Sequence, residues 1–319
     1  MTHSEPIEGV YLSSEVNLKE RYGEAFLSSS HVLRLRDPVE ISDPSNIRFA
    51  LSWEPADDAF AAYPNIEMVS SIGAGVDGIL KCRSLPSDTI VTRVRDPYQA
   101  YAMAGFVVWQ VIWHHRKMRQ YMLNQSLHIW KWIESSPVQD CTIGILGYGF
   151  MGRAVANALM PLGYQVIVAC RTERAGCGCL NLTLESGPNS IRNTAAKANI
   201  IVNLLPLTTA TRFILNAKLF GVVPQGSVLI QVGRGDHLVE EDLKAALDSG
   251  KLSAVSLDVF RDQPLPSKHP FWDDPRIMIT PHIACESSIG TVVEQVTVCV
   301  EAIARSKIPI YAISRGREY

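Results

Sequence analysis

A glycine-rich turn between a buried strand and a helix constrains this chain more than any other feature. Residues 141–146 form the apolar run Cys-Thr-Ile-Gly-Ile-Leu, which is typical of a buried strand, and residues 153–162 have helical character. The turn Gly147-Tyr-Gly-Phe-Met-Gly152 joins them, and a further strand follows at 165–169. Alone, a GxGxxG sequence is weak evidence, but inside a strand–helix–strand unit it predicts a site for a dinucleotide.

Each residue of this turn has a physical task in such a site. Gly147 permits the tight turn, Gly149 lets a pyrophosphate approach the backbone, and Gly152 allows close packing of helix on strand. The free amides at the start of the helix, around Phe150 and Met151, are predicted to hold the pyrophosphate. The alternative is a glycine turn that binds no ligand.

The pattern of strands and helices extends over most of the chain. Apolar runs predict further strands at 48–52, 68–72, 89–92, 200–205, 227–232, 254–258 and 277–280. Helical patterns lie between them, including a long one from Met103 to about Asn124 and one over 239–249. Such alternation predicts an α/β protein with a doubly wound parallel sheet.

A chain of 319 residues is long enough for two domains. The sequence predicts a dinucleotide-binding domain at 98–285, inserted into a smaller α/β substrate domain formed by 1–97 and 286–319. An apolar helix at 292–304 is expected to close back onto the N-terminal region, and the two chain crossings would act as a hinge.

Composition excludes several classes of function. A net charge of −2 provides no basic field for nucleic acid or an anionic membrane. The longest apolar stretch, 105–113, is far short of the ~20 residues of a membrane span. The N-terminus lacks the pattern of a secretion signal. Seven scattered cysteines favour reduced thiols in the cytoplasm, and one Cys177-Gly-Cys179 pair without further ligands predicts no metal site.

The end of the second strand of the glycine-turn unit indicates which dinucleotide binds. NAD sites usually carry an acid there for the ribose 2′-hydroxyl. This chain has Arg171, Thr172, Glu173 and Arg174, and two arginines and a hydroxyl suit a 2′-phosphate. NADPH is therefore predicted as the preferred cofactor, with NADH possible; the alternative is a solvated surface loop.

Several spaced motifs resemble the D-2-hydroxyacid dehydrogenase family, and in particular its glyoxylate/hydroxypyruvate reductase branch, the type A enzymes. The likeness runs from about Arg48 to the C-terminus, and such a set is much more specific than the glycine turn. The motifs that carry it are Ala74-Gly-Val-Asp77, Asn203-Leu-Leu-Pro-Leu-Thr208, Val232-Gly-Arg-Gly235, His237-Leu-Val-Glu-Glu-Asp-Leu243, Pro264-Leu-Pro266 and Thr280-Pro-His-Ile-Ala284.

This resemblance implies a reductase of small 2-keto acids, with glyoxylate, hydroxypyruvate or a close analogue as substrate. Arg234 would bind and polarise the substrate, and His282 would be the general acid. That pair is chemically coherent, because hydride transfer to a keto carbon leaves negative charge on its oxygen, which a cation and a proton donor both stabilise.

The resemblance also assigns the surroundings of the reaction. The backbone at Ala74, Gly75 and Val76 would hold the substrate carboxylate, and Trp130 would lie at the mouth of the site. The remaining cofactor contacts would come from residues at or just after the ends of three predicted strands of the dinucleotide domain: Leu205, Pro206, Thr208, Val232, Gly233 and Asp258.

The chain departs from the family pattern at Gly105-Phe106, where the branch usually has Glu-Tyr, and at one catalytic position. The family has a catalytic glutamate where this chain has Gln263, directly before Pro264. Gln263 is expected to accept the ring N–H of His282 through its carbonyl oxygen without contributing charge. The neighbouring Asp262 is a candidate for partial compensation. Formate dehydrogenases, which are distant relatives, also carry glutamine there, so hydride transfer need not be lost.

Other functions and partners stay open at this stage. Trp130 and Trp132 are compatible with a reductase of bulkier 2-keto acids, and Gln263 is compatible with a non-catalytic scaffold that senses nucleotide. The family implies a homodimer through the long helix, to which Trp109, Trp113 and Tyr121 would contribute, unless they belong to the core. The remaining histidines, including His114 and His115, are expected at surfaces or interfaces, and His269 is unassigned.

Overall fold

The computed structural model describes residues 5–172 and 180–314. The chain divides into two compact units. Unit 1 comprises the residues up to Gln99 together with those from Glu286 onward, and unit 2 comprises Ala100–Cys285.

Two parallel sheets contain the strands of the described residues. The strands are β1 (Ile7–Ser13), β2 (Leu33–Arg36), β3 (Phe49–Trp53), β4 (Met68–Ser71), β5 (Ile90–Thr92), β6 (Thr142–Leu146), β7 (Gln165–Cys170), β8 (Leu182–Ser186), β9 (Ile200–Asn203), β10 (Ser227–Gln231), β11 (Leu252–Leu257) and β12 (Ile277–Ile279).

Helices connect most of these strands. The α-helices are α1 (Leu18–Phe26), α2 (Asp77–Leu80), α3 (Pro97–His115), α4 (Met118–Ser126), α5 (Phe150–Leu159), α6 (Ser190–Ala195), α7 (Ala217–Phe220), α8 (Glu240–Asp248) and α9 (Ile289–Ala304). Short 3-10 turns cover Leu27–Ser29, Pro38–Glu40, Pro44–Asn46, Val138–Asp140, Met160–Leu162, Gly235–His237 and Pro270–Trp272.

Unit 1 is built on a five-stranded sheet of order β2-β1-β3-β4-β5, in which all neighbours are parallel. Helices α1 and α9 pack together on one face. Tyr22 of α1 and Val292, Val296 and Val300 of α9 are buried in the same apolar cluster as Phe49 of β3. The C-terminal helix therefore completes the core of the N-terminal sheet.

Unit 2 is built on a seven-stranded parallel sheet of order β12-β11-β10-β9-β6-β7-β8. Its two faces are covered by separate apolar clusters, one around Ile143 and Ile145 and one around Leu146 and Leu229. The chain reverses its direction of winding between β6 and β9, which pair directly. In doubly wound sheets, ligands bind beyond the carboxyl ends of the strands at such a switch point.

The prediction of one continuous helix over 103–124 is wrong. Helix α3 begins earlier, at Pro97, and ends at His115, and α4 begins at Met118. Lys117 adopts a left-handed conformation with φ of 54°, and its N–H donates to the oxygen of His114 rather than to that of Trp113. A left-handed residue interrupts the helical hydrogen-bond pattern, and the cationic stretch supplies no sequence signal for it.

Strands β1, β2 and β8 were not identified as separate strands from sequence. Strands β1 and β2 lie in the N-terminal region, where apolar runs are short. Strand β8 lies at the edge of its sheet, beside β7. Within the described ranges, no helix is both long and apolar enough to cross a membrane.

Candidate functional site

The glycine turn lies at the carboxyl end of β6, beside the end of β9. Gly147 has a φ of +106°, and a Cβ there would lie 2.9 Å from the carbonyl oxygen of Leu204. A Cβ on Gly152 would lie 2.0 Å from the carbonyl oxygen of Gly147. Both positions therefore require glycine. At Gly147 the positive φ and the backbone of Leu204 exclude a Cβ, and at Gly152 helix α5 packs directly against the turn.

The start of α5 has the properties of an anion site. No partner within the described residues accepts a hydrogen bond from the amides of Phe150, Met151 or Gly152. A Cβ built on Gly149 meets no atom within 4 Å, so its position is open to a ligand. Unpaired amides at a helix N-terminus attract anions such as a pyrophosphate, so these residues fit a dinucleotide.

The basic segment after β7 is only partly described. Arg171 and Thr172 follow Cys170, the last residue of β7, and both side chains are exposed. Arg174 and the Cys177–Cys179 pair lie outside the described residues. Within the part of the chain that is described, no group of three or more His, Cys, Asp or Glu side chains is arranged to hold a metal ion.

The loop after β9 is fastened by a threonine that the sequence did not single out. The hydroxyl of Thr211 donates to the carbonyl oxygen of Pro206 at 2.6 Å and accepts from the amide of Thr208 at 2.9 Å. Leu205, Pro206 and Thr208 are all half-buried. Their backbone is thereby held beside the glycine turn, since the Leu204 amide donates to Leu146 at 2.9 Å.

The Gly-Arg-Gly segment follows β10 and lies against the loop after β11. A Cβ on Gly235 would lie 2.0 Å from the carbonyl carbon of Phe260, so the two backbones are in contact. Arg234 is half-buried, and its Nη1 donates to the oxygen of Gly233 at 2.8 Å. Val232 is 6% exposed and belongs to the apolar cluster around Ile143.

Asp258 anchors the loop that carries His282. Its buried carboxylate accepts three hydrogen bonds, from the hydroxyl of Thr280 at 2.7 Å and from the amides of Ile283 and Ala284 at 2.9 Å each. The amide of His282 donates to the carbonyl oxygen of Asp258 at 2.9 Å. These contacts hold His282 at a φ of +55°, a conformation that a non-glycine residue keeps only when its surroundings enforce it.

The expected orientation of Gln263 is wrong. Its Oε1 accepts from the amide of Phe260 at 3.1 Å, and it is the Nε2 that faces Nδ1 of His282, at 3.0 Å. An amide N–H is a donor, so Nδ1 accepts and the ring proton of neutral His282 lies on Nε2. The backbone of Phe260, which the sequence pattern does not reveal, decides this orientation.

Asp262 and His269 follow the same strand as Gln263, but their contacts differ from those of Gln263. Asp262 is exposed, and the partner of His282 Nδ1 is Gln263. His269 is structural: Nε2 lies 3.1 Å from Glu240, and Nδ1 accepts from the amide of Phe271 at 3.3 Å.

In unit 1, the turn after β4 presents unpaired amides. The hydroxyl of Ser71 donates to the oxygen of Gly75 at 2.7 Å and accepts from the amide of Gly73 at 3.1 Å. Among the described residues, nothing accepts a hydrogen bond from the amides of Ala74, Gly75 or Val76. Such a turn has the donors that a carboxylate requires.

The aromatic residues of α3, of α4 and of the segment after α4 are partly exposed and partly packed against near neighbours. Trp130 is fully exposed. Trp109 is 45% exposed and pairs with Trp113 at a centroid distance of 6.0 Å. The hydroxyl of Tyr121 accepts from the amide of Ile133 at 3.0 Å, so Tyr121 fastens the segment that follows α4.

The assignment of the other histidines to surfaces or interfaces is wrong for His115 and His237, and His114 is half-buried. His237 is fully buried, and His115 is buried with hydrogen bonds to Tyr164 and Ser136. His114 bonds to the hydroxyl of Ser256 at 2.7 Å, and its burial lowers the pKa of the imidazole to about 4. Helical position alone did not distinguish buried from exposed histidines, because α3 is apolar on most of its surface.

A buried polar group beneath the Gly-Arg-Gly segment was missed from sequence. Asn203 and Gln231 end β9 and β10, and His237 follows in the 3-10 turn; all three are fully buried. A polar residue that ends an otherwise apolar strand is the sequence signal that would have found Asn203 and Gln231.

Unit 2 thus brings three loops together along the carboxyl edge of neighbouring strands β10, β11 and β12. One carries Arg234, the next Gln263 and the third His282. A guanidinium and an imidazole that bears its proton on Nε2 are suited to an oxygen on which negative charge develops. The glycine turn, with its anion-binding amides, lies on the same edge.

Comparison with known proteins shows the family of the chain. Residues 108–284 match the family model described as "D-isomer specific 2-hydroxyacid dehydrogenase, NAD binding domain". The chain is 34% identical over 276 residues to glyoxylate/hydroxypyruvate reductase A of Yersinia enterocolitica, a match that covers 85% of this chain and 87% of that protein.

Solved structures resemble the chain over nearly its whole length. A D-isomer specific 2-hydroxyacid dehydrogenase from Xanthobacter autotrophicus, in complex with NADPH and MES, has a TM-score of 0.89 at 30% identity and covers 99% of this chain and 100% of its own. An NADPH-dependent glyoxylate/hydroxypyruvate reductase from Sinorhizobium meliloti, in complex with NADP and sulfate, has a TM-score of 0.88 at 29% identity, covering 98% and 99%.

Proposed function

The chain belongs to the D-isomer specific 2-hydroxyacid dehydrogenase family, and from this premise we propose that it reduces glyoxylate, hydroxypyruvate or a close analogue with NADPH. That it is a nicotinamide-dependent 2-keto acid reductase follows from its family and relatives. The observation that carries the finer proposal is the convergence of Arg234, Gln263 and His282 on one edge of the sheet of unit 2.

Arg234 binds the substrate in this proposal. The planar guanidinium contacts the carboxylate and the keto oxygen together, which a point charge such as lysine does less well. The bound reduced nicotinamide supplies the hydride. As the keto oxygen gains negative charge, the fixed positive charge of Arg234 stabilises it.

His282 donates the proton from Nε2. A neutral imidazole with Nδ1 unprotonated is a poor acid, so donation requires the protonated ring, in which Nδ1 also bears a proton. Gln263 must then turn its carbonyl oxygen toward Nδ1 and give up the hydrogen bond from Phe260. We propose that this exchange, which costs about 0.5–1.5 kcal/mol per hydrogen bond, accompanies each protonation of His282.

The cofactor contacts follow from the open backbone of unit 2. Gly147, Gly149, Gly152 and the amides of Phe150 and Met151 would hold the pyrophosphate. Beside them, Leu205, Pro206, Thr208, Val232, Gly233 and Asp258 would line the nicotinamide end.

NADPH is the preferred cofactor in this proposal. Arg171 and Thr172 are exposed at the strand end where an NAD site would carry an acid. Arg174 would add a second cation. The structures from Xanthobacter and Sinorhizobium, which hold NADPH and NADP, support the same preference.

The amides of Ala74, Gly75 and Val76 would hold the substrate carboxylate, and Trp130 would lie at the mouth of the site. A homodimer is part of the proposal. Large apolar side chains are exposed along α3, α4 and the segment after them, and such a surface usually marks an interface. They are Trp109, Ile112, Met122, Leu123, Leu127, Ile129, Trp130 and Trp132.

The proposed compartment is the cytoplasm, which suits the free thiols of the described cysteines.

Turnover with a panel of keto acids tests the function. NADPH oxidation is followed with glyoxylate, hydroxypyruvate, pyruvate and phenylpyruvate, and NADPH and NADH are titrated separately. We expect the two small acids to have the highest kcat/KM and NADPH to bind more tightly. Preference for phenylpyruvate would favour the reductase of bulkier acids, and NADPH binding without turnover of any acid would favour the nucleotide-sensing scaffold.

Arg171→Ala isolates the 2′-phosphate contact. Loss of a hydrogen bond to a charged group costs about 1.5–3 kcal/mol, so NADPH affinity should fall by roughly 10- to 150-fold while NADH affinity changes little. Equal losses for both cofactors would remove Arg171 from the 2′-phosphate site.

The dimer is tested by sedimentation. Wild type should sediment as a dimer, and Leu127→Glu, which places a charge on the exposed apolar surface, should sediment as a monomer.

A further inference from the structure

A fully buried imidazole, that of His237, lies beneath the Gly-Arg-Gly segment. Its Nδ1 is 3.1 Å from the backbone nitrogen of Arg234 and 2.9 Å from Nδ2 of Asn203. Its Nε2 is 3.3 Å from the carbonyl oxygen of Pro206. One ring therefore contacts both the segment that carries the substrate arginine and the loop assigned to the nicotinamide end.

The neighbours of this ring determine which nitrogen carries the proton. Oδ1 of Asn203 accepts from the amide of Leu205 at 3.3 Å, so the Nδ2 of Asn203 is the group that faces His237. Asn203 Nδ2 and the Arg234 amide are both donors, so Nδ1 of His237 is an acceptor. The proton consequently lies on Nε2, which donates to Pro206.

Gln231 completes the same network from the other side. Its Nε2 donates to the carbonyl oxygen of Arg234 at 2.8 Å, and its Oε1 accepts from the amide of Gly233 at 3.2 Å and from Asn203 at 2.8 Å. The amide and the carbonyl of Arg234 are thus both bound by buried side chains. A Cβ on Gly233 would lie 2.9 Å from His237 Nδ1, so the network packs directly against this backbone.

We propose that His237 is a positioning residue that fixes Arg234 relative to the loop at Leu205–Thr208 through a neutral, Nε2-protonated imidazole. The inference rests on the proposed function, because it concerns the alignment of a 2-keto acid on Arg234 with the cofactor. It adds a separate claim: each ring nitrogen serves one ligand, Nδ1 the keto acid and Nε2 the dinucleotide.

Two variants separate the two nitrogens. His237→Asn places a carbonyl oxygen near the position of Nδ1, which keeps the acceptor for Arg234 but loses the bond to Pro206. His237→Gln places an amide nitrogen near the position of Nε2, which keeps the donor for Pro206 but leaves the Arg234 amide without its acceptor. His115→Asn is the matched control, since His115 is another buried, hydrogen-bonded histidine of unit 2.

Each variant is measured for the Kd of NADPH, the Kd of oxamate on the NADPH complex, kcat, KM for glyoxylate, and Tm. Loss of one hydrogen bond predicts a change of about 3- to 10-fold in the affected constant. His237→Gln should weaken oxamate binding and raise KM by that factor with the Kd of NADPH within about twofold. His237→Asn should instead weaken NADPH binding by that factor, with oxamate binding and KM within about twofold. His115→Asn should lower only Tm.

The proposal is overturned if both His237 variants lower Tm as His115→Asn does and leave both dissociation constants unchanged, or if both weaken the two ligands equally. Should neither fold, Asn203→Asp replaces a donor facing Nδ1 by an acceptor of the same shape, and unchanged oxamate binding there would equally overturn it. A wild-type enzyme that binds NADPH but turns over no 2-keto acid would refute the proposed function instead, and the NADPH constants would still decide the role of Nε2.

Discussion

The side-chain nitrogen of Gln263 lies 3.0 Å from Nδ1 of His282, while the oxygen of the same amide accepts from the backbone of Phe260. A carboxylate at this position would accept a hydrogen bond from a protonated Nδ1. The amide N–H of Gln263 instead donates to an unprotonated Nδ1. In this arrangement Gln263 therefore contributes no charge beside His282 and presents a donor to its Nδ1.

Gln263→Glu should extend reductive activity toward alkaline pH. The protonated ring is the proton donor, and an adjacent carboxylate stabilises it, commonly by about 1–3 pKa units. The pH at which kcat/KM for glyoxylate declines should rise by that amount, with an unchanged Kd for NADPH. Asp262→Asn is the control: because Asp262 is exposed, its profile should match that of wild type. An acidward shift in Asp262→Asn, together with coincident profiles of wild type and Gln263→Glu, would make Asp262 the partner of His282.

Arg234→Lys should lower kcat/KM for the keto acid by roughly tenfold or more, because lysine keeps the charge but loses the bidentate geometry worth about 1.5–3 kcal/mol. Titration with NADPH should give a nearly unchanged Kd. Arg276→Lys, which alters an arginine paired with Asp274 and Asp248, should leave both constants as they are. If keto-acid reduction by Arg234→Lys matched wild type, Arg234 would not contact the substrate.

Gly149→Ala should separate cofactor binding from folding. A Cβ there meets no protein atom within 4 Å, so Tm should change by no more than a few degrees, yet the methyl group would occupy the space predicted for the pyrophosphate. We expect NADPH affinity to fall by at least roughly tenfold. Gly290→Ala, which is also in open space but in α9, should bind NADPH normally. Normal NADPH binding by Gly149→Ala would place the pyrophosphate elsewhere.

His114 should make the fold sensitive to mild acid. Its pKa is lowered by burial to about 4 from an ordinary value of 6.5, so the unfolded chain binds a proton there before the folded chain does. Stability from this group is thus intact above pH 6.5 and is lost as the pH falls toward 4. A difference of about 2.5 units corresponds to about 3 kcal/mol.

Urea unfolding between pH 7 and pH 4 measures this loss. His114→Gln should lose about 3 kcal/mol less than wild type over that interval, whereas His31→Gln, at an exposed histidine, should lose as much as wild type. Parallel curves for wild type and His114→Gln would show that His114 does not titrate as its burial implies.

The sequence by itself determined the class of fold and the main chemical groups. The alternation of apolar strand runs, such as 141–146 and 227–232, with helical patterns predicted a parallel sheet, because parallel strands are usually joined by helical crossovers. Gly147 and Gly152 were recognisable because only glycine fits their backbone positions. Arg234, Gln263 and His282 were found by resemblance, and the structure adds the sheet edge they share; their roles remain proposals.

Only the tertiary structure decided how the site is oriented. The amide of Gln263 is turned by the backbone of Phe260, and the loop of His282 is held by the carboxylate of Asp258. The break after α3 and the burial of His237 were likewise invisible in the sequence. Some of these hydrogen bonds join distant residues, such as Asp258 and Ala284, and others join near neighbours, such as Phe260 and Gln263. In both cases the partner is set by which groups the folded backbone leaves unpaired, and no local pattern of residues records that.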